Sequence, residues 1–422
     1  MIDAATAQRR FVALTALRWL PVGIVIPVFV LVMRARGLDL AEIGLLTSMY
    51  SATILLLELP TGGLADVVGR RPVLVASALL TLVSVVGFAT ARSAGALAAA
   101  YVVFGAGRAL DSGPLQAWYV DAVRWADPVA PVTSGLARAG VAGSLGLGAG
   151  SLLGGAAVAV APLPSAAPGA EPVLIDLSAP FLLAGAVVVL HVLAVLACMS
   201  EPRRPTATWR FVAADVPRTV RRAAALTLAR PRLRRILAFT LVLGLALAAV
   251  ELLSPSVVAD LLGGESEAAS AYAVLVTCGF LGTAAGSAIA PRFSDGLGSA
   301  HRAVAVATVV AALALAGIGL PAVGAVAVAY VGFYLALGLA NPLVDSLTHA
   351  EVESRQRATV LSVCSMALQL GGLLAGLSVG ALAGATSAAV ALVVVAVVLA
   401  AGAGTMVRWP DAGRQASGEA SS

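Results

Sequence analysis

Arg18, Glu58, Arg108, Asp111, Gln116, His191 and Glu251 are polar or ionisable side chains embedded in long apolar stretches. An ion at the centre of a lipid layer costs roughly 2.5–3.5 kcal/mol on insertion scales, so each of these residues needs a reason. Low-dielectric surroundings favour the neutral form of a carboxylate, and a nearby arginine favours the charged form. A carboxylate that alternates between two such settings can take a proton from one side of a barrier and release it to the other. Glu251 is the first candidate for that chemistry and Asp111 the second. Arg108 stands one helical turn before Asp111, so the two can share a face or pair. It is the candidate charge partner, or the contact for an anionic group. Arg18 and Glu58 fit structural roles as well, and His191 fits packing. Gln116, Asn341 and Gln369 suit either a polar interior or helix pairing. Cys198, Cys278 and Cys364 lie singly in apolar runs, with neither metal spacing nor a disulfide framework. No metal and no cofactor is expected.

The elements that must hold these groups follow from composition. Of 422 residues, 60% are apolar and only 12% charged, with a mean hydropathy of +0.97. Soluble chains carry about 25% charged residues, so lipid has to serve as the solvent. A helix needs about 20 apolar residues to span it, and its backbone must be satisfied within the segment. Barrel strands would alternate polar and apolar residues, and these runs do not. Apolar runs stand near 11–33, 40–61, 73–91, 95–120, 136–161 and 180–200. Six more stand near 235–262, 270–290, 303–320, 322–345, 357–383 and 387–407. Six runs, a polar linker and six further runs suggest an internal duplication. The expected organisation is a bundle over 1–200, a basic linker over 201–234, a second bundle over 235–410 and a disordered tail over 411–422. Pro255 is expected to break the seventh helix near its outer end.

All 27 basic residues are arginine, for a net charge of +5. They cluster in short loops beside apolar runs, which fits topology and not nucleic acid. With the N-terminus inside, Arg9, Arg10, Arg70, Arg71, Arg124, the linker and Arg408 all fall on the cytoplasmic side. The other side keeps Arg34, Arg36 and Arg92. Both ends are then cytoplasmic and the chain is a multi-pass protein of the cell (inner) membrane. The start of the chain does not fit a cleavable signal peptide, because its apolar run is too long. The linker carries ten arginines from Arg203 to Arg235, and 215–229 could form a basic helix on anionic headgroups. Trp19, Trp118, Tyr119 and Trp209 read as interfacial anchors. Tyr50, Tyr272, Phe280, Tyr330, Phe333 and Tyr334 read as cavity aromatics.

Three segments carry a resemblance. The loop Gly62-Gly63-Leu64-Ala65-Asp66-Val67-Val68-Gly69-Arg70-Arg71 resembles the signature loop of the major facilitator superfamily, G-x-L-A-D-x-x-G-R-K/R. Glycine allows a tight turn there, and an aspartate can face a helix N-terminus. The resemblance implies a latch between two halves, formed by Gly62, Asp66, Gly69, Arg70 and Arg71. Gly146, Gly150, Ser151, Gly154 and Gly155 resemble the antiporter motif G-x-x-x-G-P-x-x-G-G of drug exporters, with Ser151 in place of proline. Small residues at that spacing let helix backbones touch, and Gly372, Gly376 and Gly380 repeat the pattern. The segment 108–121 is similar to a bacterial subgroup reading S-G-x-x-E-A-W-x-x-D, with Gln116 replacing the glutamate. In the second half, 286–302 resembles a decayed copy of the signature loop.

The resemblance implies an all-α membrane protein of about twelve helices in two pseudo-symmetric six-helix bundles. Helices one, four, seven and ten would line a central cavity holding Arg18, Arg108, Asp111 and Glu251. The implied activity is proton-coupled export of small amphipathic molecules by a monomer, with substrate near the midplane. A metabolite importer or symporter on the same fold, and a non-transporting sensor or scaffold, stand as alternatives. No His-Glu-x-x-His, Gly-x-Ser-x-Gly or phosphate-binding loop occurs, so the sequence reads as no enzyme.

Overall fold

The computed structural model describes residues 3–62, 64–127, 130–160, 172–201, 225, 227–352, 357–407 and 409, the side chains of 59, 60, 62, 66 and 357–359 excepted. Every regular element among the described residues is helical, and eleven helices there are long and apolar enough to cross a membrane. A twelfth crossing is made by two shorter helices in series. The spans of the first half are 1 (Ala4–Ala35, through a 3-10 turn at Ile26–Val28), 2 (Leu40–Gly62), 3 (Arg70–Thr90), 4 (Ala94–Leu110 then Pro114–Ala126), 5 (Thr133–Val160) and 6 (Ala179–Cys198). Those of the second half are 7 (Pro231–Leu262), 8 (Glu265–Gly296), 9 (Ala300–Gly317), 10 (Val323–Ala350), 11 (Arg357–Ala385) and 12 (Ala388–Val407). An even number of crossings puts both ends of the bundle on one face, called here the terminal face.

The break in span 4 departs from the continuous helix expected over 95–120. Pro114 lacks an amide hydrogen and disfavours helical geometry in the residue before it. Gly113 accordingly turns left-handed at φ 102°, and the second helix starts on Pro114. Pro255 does the opposite of what was expected: span 7 runs through it unbroken. Packed neighbours in a membrane bundle can absorb the single backbone bond that proline removes. Span 1 starts seven residues early, at Ala4. Asp3 caps it by accepting from the Thr6 amide at 2.6 Å, which holds the Asp3 carboxyl below its ordinary range. Span 7 starts at Pro231, so Arg232, Arg234 and Arg235 belong to a helix and not to the linker. Most of the linker, Trp209 and the tail lie outside the described residues. The segment resembling a second signature loop is mostly helix: span 8 continues to Gly296, and a short turn with Gly298 at φ 72° leads to span 9.

Large apolar side chains such as Leu145, Leu313, Val328 and Val397 are exposed on the outer surface, as a lipid-facing belt requires. Inside, the apolar packing divides unequally. At the terminal face each half has its own core, around Trp118 and Tyr119 in the first and around Phe239 and Met406 in the second. At the opposite face a single core joins both halves, from Ile24, Leu31 and Ile43 to Leu253, Tyr272 and Val379. The halves are therefore fused at one face and separate at the other.

Candidate functional site

Small residues make the fused face. Gly146, Gly150 and Gly154 lie one above another on span 5, and their backbones press on span 1; a Cβ on Gly146 would stand 2.7 Å from the Ala16 oxygen. The next face of span 5 meets span 8 of the other half. There the buried Ser151 hydroxyl donates to the Ala273 oxygen at 2.9 Å. Thr277 donates to Gly148 O and Ser270 to Gly155 O, each at 3.1 Å. Ser151, in the place of a proline, lies within a span 5 that is one uninterrupted helix, and it ties the two halves. On the other flank Gly376 and Gly380 of span 11 abut Leu40, Gly44 and Ser48 of span 2. That seam reaches toward the terminal face as far as Glu58, whose Oε1 accepts from Ser365 at 2.8 Å. Glu58 Oε2 is buried without a hydrogen-bond partner among the described residues. At the rim, Arg34 of span 1 bridges to Asp260 (2.6 Å) and Glu265 (3.4 Å) of the second half.

Between the halves lies a cavity of about 480 Å³. Arg18, Arg108, Asp111 and Glu251 all line it, from spans 1, 4 and 7. Asp111 caps the first helix of span 4 at the break. Its carboxylate pairs with Arg18 Nε and its carbonyl accepts from Arg18 Nη2 at 3.1 Å. The structure therefore gives Asp111 to Arg18, not to Arg108. Arg108 instead lies over the Trp19 ring at 5.7 Å, and Arg18 over the same ring at 5.0 Å. Trp19 is a cavity residue and not an interfacial anchor. Trp118 and Tyr119 are no anchors either: both are buried. The Trp118 indole donates to Ser200 O at 3.2 Å, and Tyr119 stacks on Phe11 at 4.4 Å. Gln116 lies outside the main cavity. It faces a neighbouring hollow of about 440 Å³ between spans 1, 4 and 5, which shares Arg18, Trp19 and Leu147 with it.

Glu251 projects from span 7 into the cavity, open to it although protein surrounds it. It has neither a hydrogen bond nor an ion pair among the described residues. Aromatic rings line the same cavity: Tyr50, Tyr101 and Phe104 from the first half, and Tyr272, Phe280, Tyr330 and Tyr334 from the second. They brace one another, with Tyr50 and Phe104 stacked at 5.3 Å and Tyr330 and Tyr334 tilted at 4.9 Å. Phe333, expected among them, is fully buried beside Tyr334 instead. Tyr101 and Phe104 were missed by the sequence reading, although a tyrosine two turns before Arg108 points the same way along the helix. His191 and Gln369 also line the cavity; Asn341 does not.

The described contacts of the loop between spans 2 and 3 lie within the first half. Gly69 sits at φ 104°, where a side chain would be strained. The Glu201 carboxylate beyond span 6 accepts the Arg70 amide at 2.9 Å and the Arg71 amide at 3.1 Å. A carboxylate there satisfies the orphan donors of span 3 and its dipole. Arg70 pairs with Asp121 of span 4 at 2.6 Å, and Arg71 donates to Leu196 O. Glu201 and Asp121 are structural partners that spacing alone did not single out. The side chains of Gly62 and Asp66 lie outside the described residues. No group of three or more metal-ligating side chains occurs among the described residues.

Comparison with known proteins accords with this architecture. The sequence profile of the Major Facilitator Superfamily matches residues 11–376. No curated protein matches the chain by sequence. Among solved structures, the nucleoside transporter NupG is similar at TM-score 0.74 and 15% identity, over 96% of this chain and 100% of that one. A bacterial homolog of the human lysosomal transporter Spinster, inward-facing and occupied, is similar at TM-score 0.72 and 18% identity, over 96% and 98%. The human organic anion transporter MFSD10 is similar at TM-score 0.65 and 18% identity, over 96% and 100%. At such identities the likeness is one of fold.

Proposed function

The chain belongs to the Major Facilitator Superfamily, and from that premise we propose that it is a secondary active exporter of small amphipathic molecules, exchanged for protons by alternating access. One observation carries the reading: an unpartnered carboxylate, Glu251, stands in an aromatic cavity between halves that are fused at one face only. Rocking of one half against the other would present that carboxylate to each face in turn. Glu251 takes and releases the proton, and the Arg18–Asp111 pair with Arg108 sets the charge of the cavity's other end. Arginine bias places the terminal face in the cytoplasm, so the present arrangement is the one that loads from inside. The basic linker lies against anionic headgroups of the inner membrane, and the carrier works as a monomer.

The test uses everted vesicles holding the full chain, an imposed acid-inside gradient and a pH-sensitive dye. Adding a transported compound should release protons from the vesicles, and Glu251→Gln should abolish the release while the protein still inserts. Proton uptake coupled to substrate in the opposite sense would establish the symporter reading instead. Flux indifferent to the gradient would remove proton coupling altogether.

A further inference from the structure

Two ionisable groups of opposite kind line the cavity without an ion-pair partner among the described residues. Near Trp19 stand two guanidiniums and one carboxylate, and Arg18 engages that carboxylate through two bonds. Arg108 therefore has no carboxylate partner among the described residues, and its guanidinium lies over the Trp19 ring. Glu251, when ionised, carries the opposite charge in the tyrosine-lined cavity. The two form no ion pair with each other among the described residues. Tyr101 and Arg108 line the cavity from one helix, seven residues apart, about 10 Å at 1.5 Å per residue. Tyr50 of span 2 lines it as well.

We propose that this site selects zwitterionic substrates: an ammonium bound by Glu251 within the tyrosine rings, an apolar or aromatic body against Tyr50 and Phe104, and a carboxylate or similar anion on Arg108. The chemistry is general. An unpaired charge in poorly hydrated surroundings is costly, and the best occupant compensates both. Tyrosine faces attract an ammonium independently of the carboxylate, and a guanidinium takes a carboxylate through two parallel bonds. A simple amine leaves Arg108 bare. A simple acid leaves Glu251 bare or requires its protonation. The inference rests on the transport reading and sharpens its coupling: an ammonium needs the ionised Glu251, so its arrival expels the proton there, which is exchange, whereas an acid alone would favour cotransport.

The experiment reads binding without transport, so its failure is separate from a failure of proton exchange. Purified full-length protein in nanodiscs is melted at constant pH with three matched probes. They are 3-[4-(aminomethyl)phenyl]propanoic acid, its des-carboxy amine 4-ethylbenzylamine, and its des-amino acid 3-(4-methylphenyl)propanoic acid. The zwitterion should bind at least about tenfold more tightly than either relative, a difference of 1.4 kcal/mol. Glu251→Gln should remove its advantage over the acid only, and Arg108→Gln its advantage over the amine only. Glu251→Asp, which keeps the charge, should retain the preference and controls for folding. Equal stabilisation by all three probes, stabilisation by none, a preference over the acid that survives Glu251→Gln, or a preference over the amine that survives Arg108→Gln would overturn the assignment.

Discussion

Replacing Arg34 by alanine should weaken the closed rim by an amount the structure allows to be worked out. Its guanidinium holds Asp260 at 2.6 Å and Glu265 at 3.4 Å, and it donates to Ser256 O at 3.3 Å. Asp260 is 62% exposed and Glu265 33%, so solvent screens both pairs. Exposed pairs contribute about 0.2–1 kcal/mol each, which gives about 1 kcal/mol for the bridge. All three partners belong to the other half, so that energy is lost when the rim opens. Removing it should raise the share of molecules open at that face roughly fivefold. Spin labels on Gly95→Cys, exposed in the first turn of span 4, and on Leu320→Cys, exposed in the loop after span 9, report the separation on that face in a background with Cys198, Cys278 and Cys364 replaced by serine. Arg34→Ala should enlarge the long-distance population, and Asp260→Asn with Glu265→Gln should do the same. Molar salt should reproduce part of the effect in the parent, because the Debye length falls to about 3 Å. An unchanged distance distribution in both the Arg34 variant and the acidic double variant would refute the rim as an energetic lock.

Gly376→Val should open the same face more strongly. Its Cβ would stand 2.5 Å from Gly44 O and 2.8 Å from Ser48 Cβ, backbone-anchored atoms that cannot turn aside, and overpacking of this kind costs about 1–3 kcal/mol; the same label pair measures it. Ser151→Ala should cost about 1 kcal/mol, read as lower thermal stability, whereas Ser144→Ala, whose hydroxyl bonds only within its own helix, should be near neutral. Asp111→Asn should lower the melting temperature by leaving Arg18 uncompensated, and Arg18→Gln in the same chain should restore part of the loss. Additive losses in that double-mutant cycle would show that the two do not act as a pair.

What could be read from the sequence was whatever is local or periodic. Apolar runs of span length, glycines one turn apart and arginines beside loop ends all follow from neighbours in the chain, and they located the helices and the cavity's charged residues. Pairings between distant residues have no such signal. Glu58 and Ser365 are 307 positions apart, and Arg34 and Asp260 are 226 apart; nothing near either residue announces the other. The misreading of Asp111 has a more specific cause. A spacing of three residues implies a shared face only while the helix continues, and the helix ends at Leu110. Gly113-Pro114 contained that information. Pro255, an equally plain signal, did not break span 7, because a proline frees one backbone bond and surrounding helices decide whether that matters. Trp118 and Tyr119 failed for a related reason: an amphipathic ring near a helix end suits the lipid interface, but it suits an interior with a carbonyl in reach equally well. Proline, tryptophan and acidic residues are thus ambiguous locally, and in each case packing between helices resolved the ambiguity. The break in span 4 is the clearest example, since it withdraws Asp111 from Arg108 and gives it to Arg18. The same local turn that defeated the helical-spacing argument is what leaves Arg108 without a carboxylate partner among the described residues, and so creates half of the charge pattern on which substrate selection is argued.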